Sequence, residues 1–282
     1  MRAPAQPGRE GRWRERPASW MATAGFVLAV LAALMALAAG PGYRFGYWSL
    51  YTAFMLIRWA AYAGVATLLV SLIGMIRARP RGPRVGFLRA FVGLVISLLV
   101  VGVPLYLLQI SQRVPPIHDI TTDTEDPPAF EAVLPLRAEA PNPPEYPAPE
   151  VAAQQLAAYP DIAPLTTGMA PDLVFRHALA AAREMGWRIV ASDPASGRIE
   201  AVDQTPWFGF LDDVVVRVRP QGEGSRIDVR SKSRIGVSDL GTNAERVRLY
   251  LRALQSRTRA APAHRTGEMP SEGSGESPRG QP

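Results

Sequence analysis

Three apolar runs before residue 112 constrain this chain more than any other feature. They are residues 20–39, a second run ending at Ile76, and residues 90–110. Each is close to the roughly 20 residues that a helix needs to cross about 30 Å of hydrocarbon. Backbone in lipid must close its hydrogen bonds within its own segment, so the three runs predict three transmembrane helices.

Charge orients them. Arg2, Arg9, Arg12, Arg14 and Arg16 precede the first span, and Arg77, Arg79, Arg81 and Arg84 join the second to the third, whereas the intervening loop holds only Arg44. The positive-inside rule therefore puts the N-terminus and second loop in the cytoplasm and everything after Ile110 on the far side. In a bacterium that describes a multi-pass inner-membrane protein with a periplasmic C-terminal domain. Ala36-Leu-Ala38 resembles a signal-peptide cleavage site, but the apolar run is longer than an h-region. Arg58 is expected to snorkel to the outer interface, beside an aromatic belt of Tyr43, Phe45, Tyr47, Trp48 and Tyr51.

The net charge of +6 divides unevenly: +10 over residues 1–112, −7 over 113–165 and +3 over 166–282. The basic excess is thus a topology signal belonging to the membrane half, and nucleic acid is not an expected partner. With no cysteine, neither a disulfide framework nor a thiolate nucleophile is available.

From 113 to 165 the chain turns rich in proline and acids, which favours an extended segment able to hold a domain clear of the bilayer. His118, Asp119, Asp123, Glu125 and Asp126 cluster at its start but lack the glycine and terminal glutamate of a calcium loop. Those acids are read as solvated, with Ile117 and Ile120 docking on the folded domain. No metal or cofactor is expected.

Residues 166–255 read as a small α+β domain. A helix opens at Met169-Ala-Pro171 with an apolar stripe of Phe175, Ala178, Leu179 and Ala182, and Gly186 can end it. Four alternating runs follow, around Ile189, Ile199, Val216 and Val229, separated by short turns. They predict a four-stranded antiparallel meander. A closing helix starts at Thr242-Asn-Ala-Glu245, which matches a capping box, and carries Val247, Tyr250, Leu251 and Leu254 on one stripe. Both helices should pack on one sheet face as a two-layer domain. The polar residues 256–282 are expected to form a disordered tail.

Several motifs in this half occur together: Pro116-Ile-His-Asp-Ile-Thr-Thr-Asp123, Tyr159-Pro-Asp-Ile162, Gly186-Trp187, Trp207-Phe-Gly-Phe210 with Asp212-Asp213, Arg230-Ser-Lys-Ser-Arg234 and Ser238-Asp-Leu-Gly241. In this order they resemble the bacterial domain-of-unknown-function family 1499, over residues 115 to 255. The resemblance brings no activity, cofactor or catalytic residue with it. It does imply that the acidic start of the connecting segment belongs to the domain.

No constellation marks an active site. His118, His177 and His264 lack partners at motif spacing, and Asp212 and Asp213, adjacent on a strand, point to opposite faces. Two stretches remain as candidates. Arg230, Lys232 and Arg234 share one strand face, and pairing across the turn adds Arg217 and Arg219, a basic area beside a helix N-terminus where an anion could dock. Trp207, Phe208 and Phe210 form an aromatic loop suited to a partner or the membrane. The chain then reads as a membrane protein presenting a binding or assembly module to another envelope protein. The alternative is a protein that handles anionic lipid or an envelope glycan, with or without catalysis.

Overall fold

The computed structural model describes residues 17–80, 84–147 and 149–260. The readings placed on Arg2 to Arg16, on Arg81, on His264 and on the tail from 261 onward lie outside the described residues.

Three helices, α1 (Trp20–Arg44), α2 (Leu50–Arg77) and α3 (Phe87–Ser111), are each long and apolar enough to cross a membrane. Ser19 and Ser49 cap the first two, accepting from the N–H groups of Ala22 and Thr52. Lipid is as apolar as leucine, so close backbone approach does the work of holding such helices together. A Cβ at Gly25 or Gly93 would come within 2.6 or 2.8 Å of Ser71 Oγ, so the three helices meet where both lack side chains. The hydroxyls of Thr67 and Ser97 lie 2.7 Å apart across α2 and α3. Ser19 N–H donates to Val85, which places the start of α1 beside the α2–α3 connection.

The rest is an α+β domain. Its sheet has β1 (Asp119–Thr121), β2 (Leu165–Thr167), β3 (Arg188–Asp193), β4 (Arg198–Gln204), β5 (Leu211–Gln221) and β6 (Gly224–Ser233). Strands β3 to β6 form the expected antiparallel meander, but the sheet has six strands, in the order β1-β6-β5-β4-β3, with β2 also on β6. β1 lies along residues 230–232 and β2 along residues 225–227, both antiparallel. Three-residue strands carry too little alternation to be read from sequence; they exist because β6 offers an unpaired edge. At the β3–β4 turn Gly197 (φ +66°) lies where a Cβ would meet Val218 O at 2.1 Å, so only glycine lets this turn press on β5.

Helices α5 (Pro171–Glu184) and α6 (Thr242–Ala260) cover one sheet face, the front. Pro171 occupies the first turn of α5, where its missing N–H costs nothing, and Gly186 follows its end at φ +78°. Ile199, Ala201, Val214, Val216, Val218, Ile227 and Val229 meet Phe175, Ala178, Val247, Tyr250 and Leu254 there. Trp187 stacks on Tyr250 with ring centroids 4.9 Å apart. Ile117 and Ile120 join this core.

Two expectations need correction. α6 continues through Ser256 to Ala260, beyond the expected domain end at 255. The segment 113–165 is not a spacer: after β1 it crosses the back of the sheet as a strap with a 3₁₀ turn at Leu134–Arg137, then forms α4 (Glu150–Ala158). Gln155 of α4 is fully buried and brackets β1, its side-chain oxygen accepting from Thr121 N–H at 2.9 Å and its amide donating to Thr121 O at 2.6 Å.

Candidate functional site

Strand alternation sends Arg226, Asp228, Arg230 and Lys232 of β6 to the back face, opposite Arg219, Arg217, Val215 and Asp213 of β5, and Arg234 follows one residue past the strand end. The strap covers most of this surface. Arg230 and Lys232 are therefore buried, and Arg234 is nearly so, rather than presented to solvent as the sequence suggested. Asp119 from β1 takes both charges: Arg230 grips it with Nε and Nη2 at 2.9 and 2.8 Å, and Lys232 Nζ lies 2.8 Å from Oδ2. Asp119, expected in solvent, is fully buried. A bidentate guanidinium with an ammonium beside it satisfies a carboxylate that burial would otherwise penalise heavily.

The next group along the strand repeats the pattern. Arg234 donates to Asp213 through Nε and Nη2 at 2.7 to 3.1 Å, and Arg137 of the 3₁₀ turn brings Nη1 to 3.1 Å of the same carboxylate. That Nη1 contact lacks hydrogen-bond geometry, and Arg137 Nε has no acceptor among the described residues. Burial pushes the pKa of Arg137 down, with Asp213 opposing the shift and Arg234 and Arg230 adding to it. It lowers Lys232 as well, against the attraction of Asp119. The guanidiniums of Arg230 and Arg137 both lie over the Phe130 ring, 4.7 and 5.3 Å from its centroid. At the other end, Arg217, Arg219 and Arg226 pair with Asp123, Asp126 and Asp228. Arg217 and Arg219 are thus neutralised within the strand pair and strap.

Asp212 and Asp213 do point to opposite faces. Asp212 pairs on the front with Arg246 of α6 at 2.6 Å, while Asp213 holds the back-face arginines. The start of α6 is not an open anion site either. Asp239 fills it, accepting from the N–H groups of Gly241 and Asn243 at 2.8 and 2.7 Å, and burial raises its pKa. Glu245 N–H pairs with Gly241 O, so the expected capping box is replaced by this upstream carboxylate. Leu240 between them sits at φ +57°, a strained conformation for a leucine.

The aromatic loop packs against the membrane helices of its own chain. Pro41 in α1 has no N–H, which leaves the carbonyl of Leu37 without its helical donor. Trp207 Nε1 supplies it at 3.2 Å. The indole lies on Gly40, where a Cβ would approach it to 2.8 Å. Tyr43 reaches Phe208 and Phe210, and Phe54 of α2 reaches Phe208, with centroids 5.6 to 6.2 Å apart. Arg44 donates to Pro206 O. The domain consequently rests directly on the α1–α2 end of the bundle.

Two cavities flank this contact. One, of about 320 Å³, lies between Leu50, Phe54, Trp207, Phe208 and Leu240, with Asp212 and Asp239 also in its lining. The other, of about 310 Å³, is lined by Arg137 and Arg234 together with Tyr43, Leu136 and Leu211. Phe210 and Ile235 wall both. Sequence reasoning missed Asp119 and Arg137 as partners of the basic strand. The signal for Arg137 was its isolation, as the lone basic residue in an acidic, proline-rich stretch otherwise empty of cations from 114 to 165.

Fold and site define a class: an α+β domain, ionic on one sheet face, joined to three membrane-length helices. Residues 119–254 match the family model described as "Protein of unknown function (DUF1499)", so the match runs from β1 into α6, includes the strap and follows the three apolar helices. This is the family that the motifs resemble. No curated protein matches the chain. Among solved structures, TTHA0849 from Thermus thermophilus is similar at 16% identity, over 36% of this chain and 97% of that one, with a TM-score of 0.24, too slight a likeness to carry an argument.

Proposed function

We propose that this is a multi-pass inner-membrane protein that seats a binding and assembly module on the periplasmic face of the bilayer. The observation that carries this reading is the contact between Trp207 and the proline-freed Leu37 carbonyl, which puts the domain at the interface end of α1. Tryptophan favours that depth because its ring is amphipathic. Support for the orientation comes from Arg77, Arg79 and Arg84 at the other end of the bundle, where positive charge marks the cytoplasm. Ion pairs engage all five basic candidates, Arg230, Lys232 and Arg234 in the interior and Arg217 and Arg219 nearer the surface, so a binding role falls to the surface around the aromatic loop instead.

The chain has no cysteine, so single introduced thiols report without background. Val237, 76% exposed on the domain, and Arg79 between α2 and α3 are the positions to use. In intact cells a membrane-impermeant maleimide should label Val237→Cys once the outer membrane is permeabilised and should reach Arg79→Cys only after lysis. Labelling of both positions, or of neither, from outside would sink the orientation.

A further inference from the structure

The two ends of the helix bundle meet positive charge differently. In the domain, the buried guanidiniums of Arg230 and Arg234 are held by Asp119 and Asp213. At the opposite end of the bundle Arg77, Arg79 and Arg84 line one open cavity of about 490 Å³ together with Ile76, with no carboxylate in that lining among the described residues. The sequence explains why none arrives. Between residues 16 and 118 the chain contains no Asp or Glu, and Glu10 and Glu15 share residues 1–16 with five arginines. The domain's acids lie at the far end of α2, a helix of 28 residues and so about 42 Å long. All three arginines are exposed, which leaves their donors open to a ligand. Arg77 Nη1 meets Met21 Sδ at 3.2 Å, a weak acceptor that leaves the charge uncompensated. The cavity is also fixed in place: Val85, next to Arg84, donates to Pro17 O at 3.2 Å and accepts from Ser19 N–H at 3.0 Å, which ties this connection to the start of α1. Then α3 begins at Phe87 with no side-chain cap, so its first N–H groups add donors at the same end.

We infer that this cavity holds the headgroup of an anionic phospholipid, with the phosphate among Arg77, Arg79 and Arg84 and an acyl chain along Ile76. The phosphate supplies the counter-charge that the chain itself lacks at this end. Guanidinium is suited to this because it carries paired donors that match phosphate oxygens and keeps its charge. The surroundings select a lipid over an anion from solution. Ile76 is 60% exposed at the end of a membrane-length helix, and Leu72 and Ile73, three and four residues back on the same face, continue the exposed apolar surface toward the middle of the span. A headgroup in the cavity therefore leaves its chain on a surface that lipid already covers. The volume falls within the roughly 300–1,000 Å³ usual for ligand sites. The inference rests on the three helices spanning a bilayer, but not on which side of it the arginines face.

The test uses the full chain, purified in detergent and stripped of lipid, then offered phosphatidylglycerol, phosphatidylcholine or inorganic phosphate. Native mass spectrometry and thermal unfolding give the readouts. Wild type should retain phosphatidylglycerol with a preference of roughly tenfold or more over phosphatidylcholine, since each cation near a bilayer surface adds to the attraction. The double variant Arg79→Gln/Arg84→Gln should abolish most of that preference, while Arg176→Gln, an exposed charge on α5 of the domain, should leave it intact. Because the double variant also removes positive charge that directs membrane insertion, Ile76→Glu serves as the second variant: it keeps every arginine, supplies the missing carboxylate from the chain itself, and should also release the lipid. Equal retention of the two lipids by wild type, undiminished preference in Ile76→Glu, or loss of it in Arg176→Gln overturns the proposal. So does an unfolding shift with inorganic phosphate as large as that with lipid, which would mark a free-phosphate site. Binding is read in detergent, which has no sides, so its failure is separable from a failure of the orientation, which thiol labelling reads in cells.

Discussion

The front and back of one sheet are built from the same strands by opposite means. In front, valine and isoleucine meet two helices and the core is apolar. Behind, among the described residues, Phe130, Val133, Val202 and Val215 form a small apolar cluster with Val190 and Leu211 against it, and much of the remaining surface is carried by ion pairs. The cover explains the difference. A helix satisfies its own backbone and needs only an apolar partner, whereas an irregular strap must find partners for every buried backbone group. The strap is rich in proline, so it has more carbonyls than N–H groups to match them. Arginine and lysine supply the missing donors: Arg230 reaches the carbonyls of Pro128 and Pro144, Lys232 reaches Glu145, Arg234 reaches Leu136 and Arg137 reaches Asn142. Glu200 does the converse, accepting from the N–H groups of Glu131 and Val133. The basic strand is therefore the hydrogen-bonding floor for its own strap.

That contrast can be broken from either side. The largest effect is expected behind, where Asp213→Ala would leave Arg234 and Arg137 buried without a counter-charge; loss of about 3–5 kcal/mol in denaturant unfolding follows from breaking a buried pair. A cost below that of an ordinary surface change would show that the back face is not a closed ionic layer. In front, Leu254→Ala removes a fully buried side chain from between helix and sheet, and should cost about 2–5 kcal/mol by cavity formation, with no dependence on salt. A marked salt dependence would mean that the two faces are energetically mixed.

Two tyrosines sharpen the comparison at smaller scale. Tyr250, in front, donates its hydroxyl to Ala178 O at 3.0 Å, so Tyr250→Phe should cost about 1 kcal/mol. Tyr146, behind, has a buried hydroxyl with no partner among the described residues, so Tyr146→Phe should leave stability at neutral pH unchanged. If the two variants lose equal stability, the hydroxyl bookkeeping is wrong. Their alkaline behaviour gives a further check. Burial, with Asp119 nearby, pushes the Tyr146 phenol up to about 12 from 10.0. Between those values the folded chain keeps a proton that the unfolded chain has lost. Its contribution is therefore complete below pH 10.0 and is lost as pH rises toward about 12. Unfolding midpoints measured across that window should fall less steeply in Tyr146→Phe than in the parent; an identical slope would refute the assignment.

How much of this was legible beforehand differs by region. The membrane spans, the meander and the two packed helices follow from periodicity, because apolar spacing of 3.6 or 2 has one economical burial. Pairing across the turn after β5 was enough to bring Arg217 near Asp228 and Arg219 near Arg226, which is the register that the strands adopt. Burial of Arg230, Lys232 and Arg234 was not legible, since alternation tells which residues share a face but not what will cover it. Asp119, the counter-ion of Arg230 and Lys232, lies 111 residues from Arg230. Nor could Trp207 be matched to Leu37, because that bond depends on a carbonyl freed by Pro41 and on a loop arriving from 170 residues away.

By itself, then, the sequence determined which segments are long and apolar enough to cross a membrane, that the four meander strands and the two covering helices form, and that charge of both signs would gather on one strand pair. Local spacing and composition suffice for that, since each element is dictated by its own periodicity. The tertiary structure alone decided that the basic strand is an interior surface, that the proline-rich segment is its lid, and that the aromatic loop belongs to the membrane helices. Those outcomes rest on contacts between distant residues, where one unsatisfied carbonyl or carboxylate selects its partner only after the chain has brought them together.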